Sequence, residues 1–454
     1  MKRFEVHSHT AYSNFRLLDC INKPEKLIKR AIEIGLSGIA ITDHETVAGH
    51  MEINLLAQSL QKDYPDFKIA LGNEIYLTES REVGQKYFHF ILIAKNKEGQ
   101  RALRELSSKS WLNSYYDRGL ERVPTLYSEL EAIIHKYPNS LIATSACLGG
   151  ELSSTTLDLC MAETCGNTEA ANSAYNRIIN FILWCKGLFG EDFYIECAPG
   201  KSKDQIIVNK RLKSIAQAFD IKMVIGSDAH YLTKKDRYIH KSYLNSKGGE
   251  REVDSFYEYA YLQTNEEEED NLIVCFDKNF IKSMWNNSME IWNKIENYSL
   301  SHKQTIPKVK VKDYPKEDFN NIEDGDKFIS KYPILASMHN SDDKIERYWV
   351  NECCNQLSFL GKYNDTYLSR LEEEAEVKKI IGEKLETNMF AYPVTLQHYV
   401  DLFWDCGSMV GAGRGSSCAA LNHYLLGITQ LDPIEWNLPF FRYLNKERTE
   451  LGSL

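Results

Sequence analysis

Arg3-Phe4-Glu5-Val6-His7-Ser8-His9 is a short strand-like run that ends in two histidines one residue apart. On an extended chain residues i and i+2 point to the same side, so the two imidazoles converge on one point. Neutral imidazole binds transition metals well. Standing alone, the pair reads as two surface histidines at a chain end. Its weight comes from the residues that follow, where metal-ligand side chains recur at the ends of strand-like segments.

Asn22-Lys23-Pro24-Glu25 predicts a helix start with Asn22 as N-cap, Leu27, Ile28, Ala31 and Ile32 on the apolar face, and Gly35 as the stop. Gly38-Ile39-Ala40-Ile41 reads as a buried strand that delivers Thr42-Asp43-His44. Further strands are expected over 68–76 carrying Glu74, 87–94 carrying His89, 140–144 ending in Ser145-Ala146-Cys147, and 192–196. The last, Met223-Val224-Ile225, leads to Asp228-Ala229-His230. Helices are expected over about 99–137, with Ser128 and Glu131 as a capping box, and over 169–188 and 203–219. Strand alternating with helix implies an α/β fold with a mainly parallel sheet closed as a barrel, whose functional residues gather at the strands' carboxyl ends.

The 454 residues allow roughly two to four domains. A net charge of −10 argues against coating nucleic acid by bulk positive charge, though not against a local basic cleft. No apolar run is long enough for a bilayer and no leader is evident, so the expectation is a soluble cytoplasmic protein without a membrane partner. The 11 cysteines are scattered and read as reduced thiols. Beyond residue 240 the alternation stops. Glu266–Asp270 reads as a solvated loop or helix start, 280–295 as a core helix, and 299–318 as a linker, with a domain boundary near 300. Helices then follow over about 344–360, 366–386 and 395–406. Gly411-Ala412-Gly413-Arg414-Gly415-Ser416-Ser417 runs into an apolar helix over 421–426. Such a turn suits a phosphate, because backbone N–H groups and the positive helix end face the anion and Arg414 adds a charged fork.

His7, His9, Asp19, His44, Glu74, His89, Cys147, Asp228 and His230 are the candidate ligands. Mixed nitrogen and oxygen donors suit Zn, Mn or Fe, and their number implies two or three divalent ions. Ions set close together generate a hydroxide and clamp a phosphate, which is metal-assisted phosphoester hydrolysis. His7/His9 and Asp228/His230 repeat the same two-residue spacing. His50, His135, His240, His302, His339, His398 and His423 show no such pattern and are read as structural.

His7-Ser8-His9-Thr10, Ile41-Thr42-Asp43-His44, Gly72-Asn73-Glu74, Phe88-His89-Phe90, Thr144-Ser145-Ala146-Cys147 and Ser227-Asp228-Ala229-His230 resemble the motif series of a PHP (polymerase and histidinol phosphatase) domain, a distorted (β/α)7 barrel. Tyr367–Glu374, the Gly411–Ser416 loop, Leu425–Pro433 and Phe440–Arg448 resemble the palm of bacterial replicative DNA polymerase III alpha subunits, the C family. The resemblance implies a PHP domain over 1–300 and the first part of an incomplete α+β palm over 301–454. It further implies that the nine ligands form a catalytic 3′–5′ exonuclease centre. Gly413, Arg414, Gly415, Ser416, Arg442 and Arg448 would then lie near the incoming nucleotide or primer. The partners so implied are primer-template DNA, dNTP and a sliding clamp, and the divergence suggests a bacteriophage-encoded member.

The sequence departs from the family pattern in three places. Three extra residues lie between Ser13 and Asp19, and Ala412 stands where proline is usual. The Pro-Asp-x-Asp motif that binds Mg ions for nucleotidyl transfer does not follow Arg448, so polymerisation is expected to need a further C-terminal half. The rival readings are a free-standing phosphoesterase acting on a small phosphate ester and a non-catalytic scaffold.

Overall fold

The computed structural model describes residues 1–15, 17–117, 119–246, 255–302, 305–317 and 325–447. The chain divides into two compact units, Met1–Ser301 and His302–Leu454.

The first unit holds strands β1 (Phe4–Glu5), β2 (Gly38–Ile41), β3 (Lys68–Thr78), β4 (Phe88–Ala94), β5 (Tyr115–Asp117), β6 (Leu120–Arg122), β7 (Thr125–Leu126), β8 (Leu141–Thr144), β9 (Phe193–Cys197) and β10 (Met223–Ile225). They pair in the order β1-β2-β3-β4-β8-β9-β10, with β7 beside β3 and β5/β6 as a separate hairpin. Just past β1 and β10, Ser8 bridges Ala229 in parallel, and the His9 N–H donates to the Ala229 carbonyl at 3.1 Å. First and last strands thus meet, and the sheet is a nearly closed barrel, as the alternation of elements implied.

Period-two burial explains the two layers. Ala40, Ala70, Ile91, Ile142, Tyr194 and Val224 form one buried cluster on one face. Ile39, Ile41 and Leu71 on the other face pack under Leu27, Ile28 and Ala31 of the helix Pro24–Glu33. Each buried Ile, Leu or Val among them contributes about 1.5–3 kcal/mol on burial.

One strand runs against the sequence expectation. β4 is antiparallel to both β3 and β8, with Tyr76 opposite His89. The connection over 79–87 is too short to hold the crossover that a parallel pair needs, so it returns as a hairpin loop with Gly84 at φ 89°. The reversal decides the site: His89, at the start of β4, reaches the rim where the neighbouring strands end.

Other local expectations are corrected. Lys23, not Asn22, precedes the helix Pro24–Glu33, because the Asn22 amide donates to the carbonyls of His9 (3.1 Å) and Ala229 (3.0 Å). The stretch 99–137 is two helices, Lys97–Leu112 and Tyr127–Lys136, separated by β5, β6 and β7. Glu129, not Glu131, closes the start of the second by accepting the Leu126 N–H at 3.0 Å. The helix Glu151–Thr164 was not expected. The acidic run does open a helix, Asn265–Leu272, but its Glu268 is buried against Arg3 (3.0 Å) and the Trp285 indole N–H (2.7 Å) rather than solvated.

The second unit contains the helices Pro333–His339, Lys344–Phe359, Asp365–Leu385 and Ala391–Asp405 around Leu335, Trp349, Leu371, Phe390 and Leu421. Its described residues include no strand, so the β part of the expected α+β region is not among them. Among the described residues no helix is long and apolar enough to cross a membrane.

Candidate metal centre

All nine candidate ligands come together at one rim of the barrel. His7 and His9 follow β1, His44 follows β2, Cys147 follows β8, and Asp228 and His230 follow β10. β3 outruns β2, so Glu74 lies level with His44 across a parallel bridge. Asp19 comes from the loop after the turn Ala11–Phe15.

Three adjoining groups of donors result. His7 Nε2 lies 3.0 Å from both His9 Nε2 and Glu74 Oε2, and Asp228 Oδ1 is 3.3 Å from His7 Nε2 and 3.0 Å from His9 Nε2. Beside them, Asp19 Oδ2 is 3.1 Å from His44 Nε2 and 3.3 Å from His230 Nε2. The third group is Glu74, His89 and Cys147, in which His89 Nδ1 touches Glu74 Oε1 and stands 3.6 Å from the Cys147 sulfur. The Glu74 carboxylate is therefore shared between the first and third groups.

The chemistry of this set fits cations. A neutral imidazole has one N–H, so five converging imidazoles cannot satisfy one another and three carboxylates by hydrogen bonding alone. Asp228 Oδ1 is buried with ring nitrogens of His7, His9 and His230 all within 3.4 Å of it. Burial opposes ionisation of Glu74, but His89, His44 and His7 outweigh it and hold the carboxyl well below its ordinary range. Burial likewise pulls the His7 and His44 imidazoles down, yet the facing carboxylates hold both well above their ordinary value. Without an ion, protons stand where a divalent charge would. The Cys147 thiol is pushed up by burial and then by Asp228 and Glu74, so it ligates only if a metal displaces its proton.

Supporting residues that sequence reasoning missed hold the ligands in place. Glu196 Oε1 lies 2.6 Å from His7 Nδ1, which leaves Nε2 to face the other donors, and Glu196 Oε2 accepts from the Thr144 hydroxyl. A Cβ at residue 226 would stand 2.2 Å from Glu196 Oε1, so Gly226 makes the room. Glu5 Oε1 accepts the N–H groups of His7 (3.0 Å) and Ser227 (2.9 Å), tying the two ligand-bearing loops together. Asp43 Oδ1 accepts from the Thr10 N–H (2.6 Å) and the Ser13 hydroxyl (2.8 Å). The His230 Nδ1–H donates to the Asp228 carbonyl at 2.8 Å, freeing Nε2. Asp228 itself sits at φ 46° and Ala146, beside Cys147, at φ 58°, conformations costing of order 1–3 kcal/mol that persist where surroundings enforce them. The signal available for Glu196 was an acid closing an apolar strand at the functional rim.

The glycine-rich loop of the second unit differs from its sequence reading. Gly415–Ala419 is a 3-10 turn, and the helix after it, Leu421–Leu425, has only 5 residues. Its first N–H groups are already taken: Glu374 accepts from Leu421 N (2.6 Å) and Asn422 N (3.0 Å) and pairs with Arg370 at 3.1 Å. A carboxylate thus occupies the helix end that was expected to hold phosphate. Gly413, Arg414, Gly415, Ser416 and Arg442 are exposed, and Arg448 lies outside the described residues.

The PHP domain model matches residues 5–199, and the model for the bacterial DNA polymerase III alpha NTPase domain matches residues 344–452. Over 472 residues the chain is 36% identical to a DNA-directed DNA polymerase of Bacillus phage SPbeta, covering 99% of this chain and 36% of that one. The chain thus matches a PHP domain and a DNA polymerase III alpha domain in turn, and along its length it is similar to DNA polymerases. It is 27% identical over 458 residues to the alpha subunit of Borreliella burgdorferi, covering 98% of this chain and 34% of that one. It is also 26% identical over 472 residues to that of Aquifex aeolicus, covering 100% of this chain and 36% of the relative. The chain spans about a third of the length of these curated relatives. The PHP match ends before Asp228 and His230, which closure of the barrel brings to the other seven donors.

Proposed function

We propose that residues 1–301 are a metal-dependent phosphodiesterase that removes nucleotides from the 3′ end of DNA. Residues 302–454 would form the start of a polymerase palm in which Gly413, Arg414, Gly415, Ser416, Arg442 and Arg448 lie near nucleotide or primer. The observation that carries the first part is the convergence of nine metal-ligand side chains on one rim, eight of them buried.

His7, His9, Glu74 and Asp228 would hold one ion, and Asp19, His44 and His230 a second. His89 and Cys147, sharing Glu74, would hold a third, with Zn, Mn or Fe as the candidates. Divalent ions, when bound, supply an acidified water and neutralise phosphate charge. The chain's own residues do the rest. Glu196 fixes the His7 ring, and Tyr76 stacks on His89 with centroids 4.4 Å apart. His89 is the most exposed donor at 27%, so substrate approaches from its side and that of Asp19. Primer-template DNA, dNTP, a sliding clamp and Mg for nucleotidyl transfer belong to the proposal for the whole protein.

The test is hydrolysis by the full chain of a 5′-labelled oligonucleotide with Mn or Zn supplied. Stepwise shortening from the 3′ end, abolished by chelator and by His9→Ala, supports this reading. Release of phosphate from a small monoester with no cleavage of DNA would replace it with the free-standing phosphoesterase.

A further inference from the structure

Aromatic surface beside the metal centre is used neither by the core nor by the donor set. Phe15 ends the turn Ala11–Phe15 and is 60% exposed. Its ring meets that of half-buried Trp111 edge-on, with centroids 6.2 Å apart and planes at 73°. Both rings are tied to ligand-bearing loops. The Trp111 indole N–H donates at 2.7 Å to the carbonyl of Glu45, the residue after His44. Ser13, two residues before Phe15, places its hydroxyl 3.2 Å from His9 Nδ1 and accepts the His44 N–H at 3.2 Å. The Asn14 side chain accepts the Asp19 N–H at 2.8 Å.

We propose that Phe15, backed by Trp111, is a stacking platform for the unpaired terminal base of a single-stranded DNA end whose phosphodiester lies on the metal centre. This rests on the nuclease reading above. Every base offers a π-face, so stacking on an aromatic ring holds a strand without reading its sequence. A base within a duplex end is already stacked and paired, so the platform favours frayed or mispaired ends over matched ones. With a net charge of −10 the protein has no bulk attraction for DNA, which leaves local contacts of this kind to hold the end. A small phosphomonoester would make no use of the ring.

The test is equilibrium binding of a 5′-fluorescent oligothymidylate to the full chain in chelator, read by anisotropy, together with its cleavage when Mn is restored. Phe15→Ala should weaken binding about 5- to 150-fold, with metal content and melting temperature unchanged, whereas Phe15→Tyr should stay close to wild type. An oligonucleotide lacking its 3′-terminal base should bind wild type as weakly as the intact one binds Phe15→Ala. Equal affinities for wild type and Phe15→Ala, with cleavage intact, overturn the platform and leave the nuclease standing. A wild-type chain that neither binds nor cuts DNA overturns both.

Discussion

His7 Nδ1 and Glu196 Oε1 lie 2.6 Å apart in the buried interior of the first unit. A carboxylate so placed fixes which imidazole nitrogen carries the proton and keeps the other as a lone-pair donor. Glu196→Gln retains the shape but removes the charge. It should lower metal affinity about 10- to 100-fold with the fold intact, as read by competition with a chromogenic chelator alongside circular dichroism.

Gly226→Ala should act through the same pair. The added Cβ would stand 2.2 Å from Glu196 Oε1 and displace that carboxylate from His7. The expected result is weaker metal binding together with a loss of about 1–3 kcal/mol from overpacking, measured by urea denaturation with and without metal.

The pH dependence of the metal-free chain follows from the imidazoles. Burial lowers His7, His44 and His230, but the surrounding carboxylates outweigh it and hold all three above their ordinary value. Groups raised in the folded state stabilise it fully below their unfolded pKa, and that stability is lost as pH rises through the folded one. The metal-free chain should therefore lose melting temperature from neutral into alkaline pH. A bound ion competes with the same protons, so metal affinity should fall as pH drops and the stabilisation by added metal should grow as pH rises. Thermal melts across pH with and without Zn check both signs.

In the second unit, Glu374 is fully buried and holds Leu421 N, Asn422 N and Arg370. Glu374→Ala should cost about 3 kcal/mol, because the buried N–H groups lose their acceptor and Arg370 its partner. Arg414→Ala, at an exposed position, should change stability by less than about 0.5 kcal/mol. Urea unfolding of the full chain separates the two.

The barrel was legible because buried strands announce themselves as apolar runs such as Gly38–Ile41, and the ligands because His7/His9 and Asp228/His230 repeat the spacing of an extended chain. What was not legible depended on pairing. Nothing in Phe88–Ala94 itself says that it runs antiparallel; that follows from the short connection before it. Asn22 has the chemistry of a helix cap, but a tertiary partner, the loop at His9, claims its amide instead. Glu374 and Glu196 are single acids in otherwise ordinary segments, and their roles appear only when distant backbone and side chains are brought to them.

Metal stoichiometry of the full chain after loading with Zn or Mn and extensive dialysis, read by mass spectrometry of the elements, tests the central claim most directly. The shared carboxylate makes Glu74→Ala the sharpest comparison, since it belongs to two of the three donor groups and its Oε2 lies 3.1 Å from His44 of the other. Two or three ions per wild-type chain, falling to one or none in Glu74→Ala, is the expected result. A wild-type chain that retains no ion, or a Glu74→Ala chain that retains the full complement, would contradict the account.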